Sequence, residues 1–317
     1  MAMNEESKKL AEKISGMLGI PDLVELLAEK VTGSELNSLL LAVYDRRARH
    51  LRAPALLQQY RKNRFVQPSD LDMIGVLERE LETLRFWKAC GFEPVELSPA
   101  AQWGSCSVVG TVSQNKIVSA TRQTEIVADA TNSLALYIAD MRRKGELSAG
   151  ETARFCTVHR HIRAQEIKGG TGFTAHFKVG CMVSSGRDLG DHRWECQALR
   201  EQMQAFQSLF REVFKVGDIR WKLQKRRGYE GGMPLIDRLM EYLSPYFEVS
   251  REDAPPANDY YKGIQFKMII ELAGGEKEIA DGGFVDWTQQ LLEDRKERFL
   301  IGGFGLDFLY RGLHDLL

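Results

Sequence analysis

Residues 162–186 read IRAQEIKGGTGFTAHFKVGCMVSSG. Aromatic and β-branched residues alternate with polar ones on both sides of a glycine-rich centre, the pattern of two strands joined by a turn. The alternation begins upstream, so the strand-like stretch runs from Arg154 to Ser185, and a second such stretch runs from Phe92 to about Thr121. Helical segments lie between and after them, at Thr131 to Arg143 and Asp191 to Phe214, and a last helix starts near Leu306. Strands and helices do not alternate one for one. The expected fold class is therefore α+β, an antiparallel sheet flanked by helices, rather than a doubly wound parallel sheet.

Upstream of the strands the pattern changes to helical. Leu10, Ile14 and Leu18, then Leu23, Leu26 and Leu27, recur at helical spacing around a break at Gly19-Ile20-Pro21. Thr32 and Glu35 have capping-box spacing ahead of Leu36, Leu39 and Leu40. Ser69 reads as the cap of a long helix that turns Leu71, Ile74, Leu77, Leu81 and Leu84 to one face and stops at Gly91. The expected division is a helical region over 1–66 and one larger domain over 67–317.

The 317 residues carry 43 Lys+Arg against 44 Asp+Glu, a net charge of −1, which excludes a chain-wide polybasic or acidic-tail reading. One stretch in the N-terminal part departs from that balance. Between Asp45 and Arg64 stand seven basic residues (Arg46, Arg47, Arg49, Arg52, Arg61, Lys62, Arg64) and one acid. The block is either a solvated helix face or a contact surface for RNA or an acidic protein partner. No apolar run approaches the ~20 residues of a membrane span, and the N-terminal MAMNEESKKL is charged where a signal peptide is apolar, so no membrane association and a cytoplasmic location are expected. Five scattered cysteines without a CxxC read as reduced thiols.

The chain lacks GxxxxGK[ST], HExxH, GxSxG and a post-strand GxGxxG. Cys156, His159, His161, His176, Cys181, His192 and Cys196 fall close together but without paired short spacings, and no zinc is expected.

Three stretches together resemble the catalytic core of class II aminoacyl-tRNA synthetases, most closely the histidyl-tRNA synthetase branch. Phe86 to Pro99 (FWKACGFEPVELSP) is similar to motif 1, with Pro99 at its dimer-interface proline. Ile162 to Gly186 is similar to motif 2. There the resemblance places Arg163 on the ATP α-phosphate and Phe177 on adenine, with Gln165 at the position of the motif 2 glutamate. Asp259 to Phe266 (DYYKGIQF) resembles the DYYTGxxF segment, Ala280 to Asp286 (ADGGFVD) the AGGRYD turn, and Gly303 to Asp307 (GFGLD) motif 3. Asp129-Ala130-Thr131 stands at the segment where an acid and a threonine hold the substrate ammonium, which adds Asp129 and Thr131 to Tyr260, Tyr261 and Asp286 as substrate-binding candidates; helix capping is the alternative role of the first two.

The departures from that pattern set the functional expectation. Adenylate formation builds negative charge on phosphorus, which fixed guanidinium groups and magnesium stabilise. Arg163 is kept, but three further arginine positions fall at Pro256, Phe284 and Phe308. Arg311, one helical turn beyond Phe308, is the candidate replacement, and Glu195 the candidate magnesium ligand. Two missing donors cost about 3–4 kcal/mol each by comparison with oxyanion-hole deletions. No anticodon-binding domain is expected after motif 3. Together these features resemble the regulatory subunit of ATP phosphoribosyltransferase. They imply a homodimeric regulatory or interaction subunit that binds an amino acid or nucleotide in a degenerate site. The alternative is an AMP-forming ligase that uses ATP and magnesium with Arg163, Glu195 and Arg311.

Overall fold

The computed structural model describes residues 5–148, 150–165, 174–229, 233–256, 258–272 and 275–316. Residues 166–173 of the motif 2-like stretch, and Ala257 of the linker-like stretch 253–258, lie outside them. The chain divides into two compact units, Met1–Gln67 with Ser119–Glu125, and Pro68–Val118 with Ile126–Leu317.

The first unit holds α1 (Glu5–Leu18), α2 (Leu23–Glu29), α3 (Gly33–Arg49) and α4 (Ala53–Lys62). The expected break between α1 and α2 is present, with Gly19 in the left-handed region at φ 67°. The capping box is also present. Thr32 Oγ1 accepts from the Glu35 N–H, and Glu35 Oε2 accepts from the Thr32 N–H at 2.9 Å. Asn37 on α3 accepts from the backbone N–H of Arg122 at 2.6 Å, which fastens the Ser119–Glu125 hairpin to this unit. No described residue of the four helices is buried. Five residues of the basic block, Arg46, Arg47, Arg49, Arg61 and Lys62, sit in the last turns of α3 and α4, where cations complement the helix dipole, and Arg49 pairs with Asp45 at 2.7 Å.

The second unit starts with α5 (Met73–Ala89). Its cap is Asp72, not the expected Ser69. The Asp72 carboxylate accepts from the Ile74 and Gly75 N–H groups, both at 3.1 Å, and so satisfies two first-turn donors that the Ser69 hydroxyl does not reach. The buried face also differs from expectation. Val76, Thr83 and Trp87 face the core, whereas Ile74, Leu77 and Leu81 are exposed.

After α5 come β1 (Glu93–Pro94), β2 (Ala100–Gln102), β3 (Ser119–Ala120) and β4 (Thr124–Ile126). The expected long strand region from Phe92 to Thr121 is thus mostly turns. Pro94 and Pro99 lack the N–H a ladder needs, and Gly104 and Thr111 adopt positive φ. Then follow α6 (Ala130–Lys144), β5 (Ala153–Ile162), β6 (His176–Arg187), α7 (Arg193–Glu212), β7 (Ile219–Lys225), α8 (Leu235–Leu243), β8 (Val249–Glu252), β9 (Lys262–Leu272), β10 (Gly275–Val285), α9 (Trp287–Leu292), β11 (Glu297–Gly305) and α10 (Leu306–Leu313).

Eight strands form one sheet in the order β1-β5-β6-β11-β10-β9-β7-β8. The six inner strands pair antiparallel, and the edge strands β1 and β8 pair parallel. One core joins the sheet to α5, α7, α8 and α10. Phe304 lies at its centre, edge-on to Trp87 at 5.8 Å and to Phe210 at 5.2 Å. Gly180 is required there, because a Cβ on it would stand 2.6 Å from the Phe304 ring and 2.9 Å from Trp87. A second core, around Leu134, Ile138, Phe155, Trp287 and Phe299, joins β5, β11, α6 and α9.

Candidate functional site

The 2-residue period of β5 puts His159 and His161 on one face and Arg163 just beyond them. Phe177, Val179 and Cys181 of β6 and Gly303 of β11 join that face, and a cavity of about 380 Å³ opens on it. An adjoining cavity of about 340 Å³ shares Asp129, Arg163, Gln165, Tyr261 and Asp281 with the first.

Asp129 caps α6. Its Oδ1 accepts from the Thr131 N–H at 2.9 Å and from the Thr131 hydroxyl at 2.6 Å, while Oδ2 accepts from the Tyr260 hydroxyl at 2.5 Å. Burial pushes the Asp129 carboxyl up, but the His161 ring, the Arg163 guanidinium and these two hydroxyls together hold it below the usual carboxylate range. His161 accepts the Ala130 N–H on Nε2 at 3.1 Å, which assigns the proton of the neutral ring to Nδ1. Nδ1 has no partner among the described residues. Burial and the neighbouring Arg163 push the His161 pKa down to about 3. The ring is therefore a neutral donor at the wall of the cavity.

Arg163 donates from Nε to the Ala128 carbonyl at 3.0 Å, and its guanidinium lies 5.3 Å from the Phe177 ring. The Nε bond and the ring fix the plane of the guanidinium. Both Nη groups are without a hydrogen bond among the described residues and are available to a carboxylate or phosphate. Gln165 lines both cavities.

Tyr260 and Tyr261 meet edge to face at 5.0 Å, and each hydroxyl donates to a different aspartate. Tyr261 donates to Asp281 Oδ2 at 2.9 Å, and Gln265 donates to the same oxygen at 3.1 Å. Arg226 donates through one Nη to Gln265 Oε1 and through the other to the Asn258 carbonyl at 2.7 Å. Burial raises the Asp281 carboxyl above its usual range against the lowering effect of Tyr261. Asp281, Gln265 and Arg226 are the site residues that sequence reasoning missed. Register shifts between Glu278 and Ala280 put an extra residue into β10, so Glu278 and Asp281 line the same cavity while Ala280 faces the core. Strict alternation from Ala280 would have found Asp281, since it lies within the quoted ADGGFVD.

Three expected site residues lie elsewhere. Glu195 is buried at the start of α7, with Arg298 Nε on its Oε1 at 2.6 Å. Arg311 on α10 clasps Asp70 with both Nη groups, one at 3.2 Å. Asp286 stands at the N-cap position of α9 without a side-chain capping bond, accepts from the Gln290 side chain at 2.8 Å and pairs with Lys262 at 3.8 Å. None of the three lines either cavity.

Among the described residues, the donors at the cavity do not fit a magnesium ion. Asp129 spends both oxygens on hydroxyl and amide donors, and Glu278 pairs with Lys267 at 3.3 Å. No group of three or more His, Cys, Asp or Glu is placed to hold a metal among the described residues. No described helix is long and apolar enough to cross a membrane.

No family model and no curated protein sequence matches the chain. Solved structures do. A histidyl-tRNA synthetase from S. aureus superposes with a TM-score of 0.57 at 10% identity, over 78% of this chain and 68% of that one. A Bacillus halodurans protein described as an ATP phosphoribosyltransferase regulatory subunit/histidyl-tRNA synthetase gives 0.58 at 13%, over 79% and 83%. A histidine–tRNA ligase subunit from Alicyclobacillus acidocaldarius gives 0.56 at 13%, over 80% and 96%. At such identities the likeness establishes the fold, which is class II synthetase-like.

Proposed function

We propose that the chain binds a small amino acid or nucleotide in the central cavity and acts as a regulatory or interaction subunit without efficient adenylate chemistry. One observation carries the reading. Arg163 is the one guanidinium among the site candidates that lines the cavity, because Arg311 is held by Asp70. Among the described residues, an adenylation transition state would lack the further donors that normally meet its charge, at about 3–4 kcal/mol each. Binding needs less. Asp129 with the Thr131 and Tyr260 hydroxyls suits an ammonium group, Arg163 suits a carboxylate or phosphate, and Phe177 beside Arg163 offers a stacking face.

Homodimerisation through the motif 1-like segment, extended over the start of α5 that leads into it, is part of the reading. Met73 (72% exposed), Ile74 (65%), Leu77 and Leu81 leave an apolar stripe on the outer face of α5, which a second copy would cover. The exposed basic block on α3 and α4 is the surface we assign to a protein or RNA partner.

The test is thermal-shift and calorimetric screening with histidine, other amino acids, AMP and ATP, paired with ATP–pyrophosphate exchange. Saturable binding without exchange supports the proposal, since a ligand held only by the folded state raises its stability with concentration. Exchange that Arg163→Ala abolishes would establish the ligase instead.

A further inference from the structure

A larger cavity, of about 770 Å³, lies at the β7–β8 end of the sheet, and of the site residues discussed so far only Arg226 and Pro256 line it. Its walls are the segment leaving β7, the start of α8 and the end of β8. The volume is in the range of small-molecule sites.

The charge on those walls is one-sided. Lys225 and Arg227 are exposed on the rim and make no ion pair among the described residues. Arg251 is neutralised by Asp237, and Glu252 by Lys267 at 3.0 Å. That leaves Lys225, Arg226 and Arg227 against Asp253.

Two further features are independent of the rim charges. Pro234, Leu235 and Ile236 at the start of α8 line the cavity, and Pro234 supplies no side-chain cap. Asp237 N–H donates to the Pro234 carbonyl at 3.0 Å, which leaves the Leu235 and Ile236 N–H groups of the first turn at the positive end of the helix dipole. Arg226, which also lines the cavity, is only 5% exposed, yet its buried Nε has no hydrogen-bond partner. A buried guanidinium N–H left unmet is costly, and such a donor is satisfied when an acceptor enters beside it.

We propose that this cavity is a second ligand site, built for a small molecule with a diphosphate or triphosphate group, free or carried on a nucleoside. Lys225 and Arg227 neutralise the phosphates from the rim, and the first-turn amides of α8 and Arg226 receive them inside. The site is wired to the central cavity. Arg226 bonds to Gln265, Gln265 to Asp281, and Asp281 to Tyr261, so a ligand that pulls on Arg226 shifts a hydrogen-bonded chain ending at the cavity wall. This inference goes beyond the function proposed above, because the cavity and the residues on its rim are different.

Isothermal titration of the full chain with inorganic pyrophosphate and with ADP, at fixed moderate salt, tests it. Four proteins are compared: wild type, Lys225→Ala/Arg227→Ala, Arg163→Ala, and Arg46→Ala/Arg47→Ala as a control for general charge. Saturable pyrophosphate binding is expected, weakened about tenfold or more in Lys225→Ala/Arg227→Ala, since each lost bond between charged groups is worth that much. The Arg46→Ala/Arg47→Ala control should stay within about twofold of wild type, and Arg163→Ala, which reports on the central cavity, should leave in place the binding component that Lys225→Ala/Arg227→Ala removes. Equal affinity for both ligands assigns the free polyphosphate, and tighter ADP assigns the nucleotide. The proposal is overturned if neither ligand binds, if Lys225→Ala/Arg227→Ala binds as wild type does, or if either of the other variants loses affinity to the same extent.

Discussion

The Tyr260 hydroxyl donates to Asp129 Oδ2 at 2.5 Å, although 131 positions separate the two residues. The bond ties the start of β9 to the cap of α6 and so holds the two sides of the central cavity together. Replacing Tyr260 by Phe keeps the ring against Trp287 but removes a hydrogen bond to a charged acceptor. We expect Tyr260→Phe to lose about 1.5–3 kcal/mol of stability, read by urea denaturation, with little change in secondary structure.

Asp281 makes stability depend on pH in a definite direction. Its folded pKa lies above the unfolded value, so the folded state binds more protons, and this group's contribution declines as pH rises from the unfolded pKa through the folded one. Asp281→Asn removes that titration and keeps an acceptor for Tyr261 and Gln265. Urea denaturation at pH 5 and pH 8 should show the variant gaining stability relative to wild type at the higher pH.

His161 acts in the opposite sense to Asp281. Its folded pKa, about 3, lies below the ordinary value near 6.5, so the unfolded chain takes up a proton first as pH falls. Stability from this group is complete above the unfolded pKa and is lost below it, by up to about 1.4 kcal/mol per pH unit, down to the folded value. His161→Gln, which can still accept from Ala130, should flatten the stability profile between pH 6.5 and 4.

The α5 stripe gives a prediction about assembly. Ile74→Glu/Leu81→Glu places two charges on exposed positions, where they cost a monomer little, but on the face assigned to the second copy. Sedimentation equilibrium should find wild type as a dimer and the variant as a monomer with an unchanged circular dichroism spectrum.

Much of this was legible in the residues, and the failures have local causes. The alternation around residues 154–185 announced β5 and β6, and Asp129 announced the start of α6, because both are short-range patterns. Leu84 of α5 packs against the core, but Ile74, Leu77 and Leu81 do not, because an apolar stripe marks a face to be covered by the core or by a partner, and the buried residues here are Val76, Thr83 and Trp87. Glu195 and Arg311 were suitable side chains in suitable segments. Their partners, Arg298 and Asp70, lie 103 and 241 positions away, beyond the reach of any local pattern. Asp281 lies past the bulge between Glu278 and Ala280, where alternation holds again, so it was legible in the sequence and was passed over.

Arg163 carries the central claim, because it is the one candidate guanidinium left facing the cavity. The most direct measurement is ATP–pyrophosphate exchange with wild type and Arg163→Ala in the presence of whichever amino acid gives the largest thermal shift. The account predicts no exchange above background in either protein, together with an amino-acid affinity that Arg163→Ala weakens about tenfold or more. Robust exchange by wild type that disappears in Arg163→Ala would contradict it and establish an adenylate-forming enzyme.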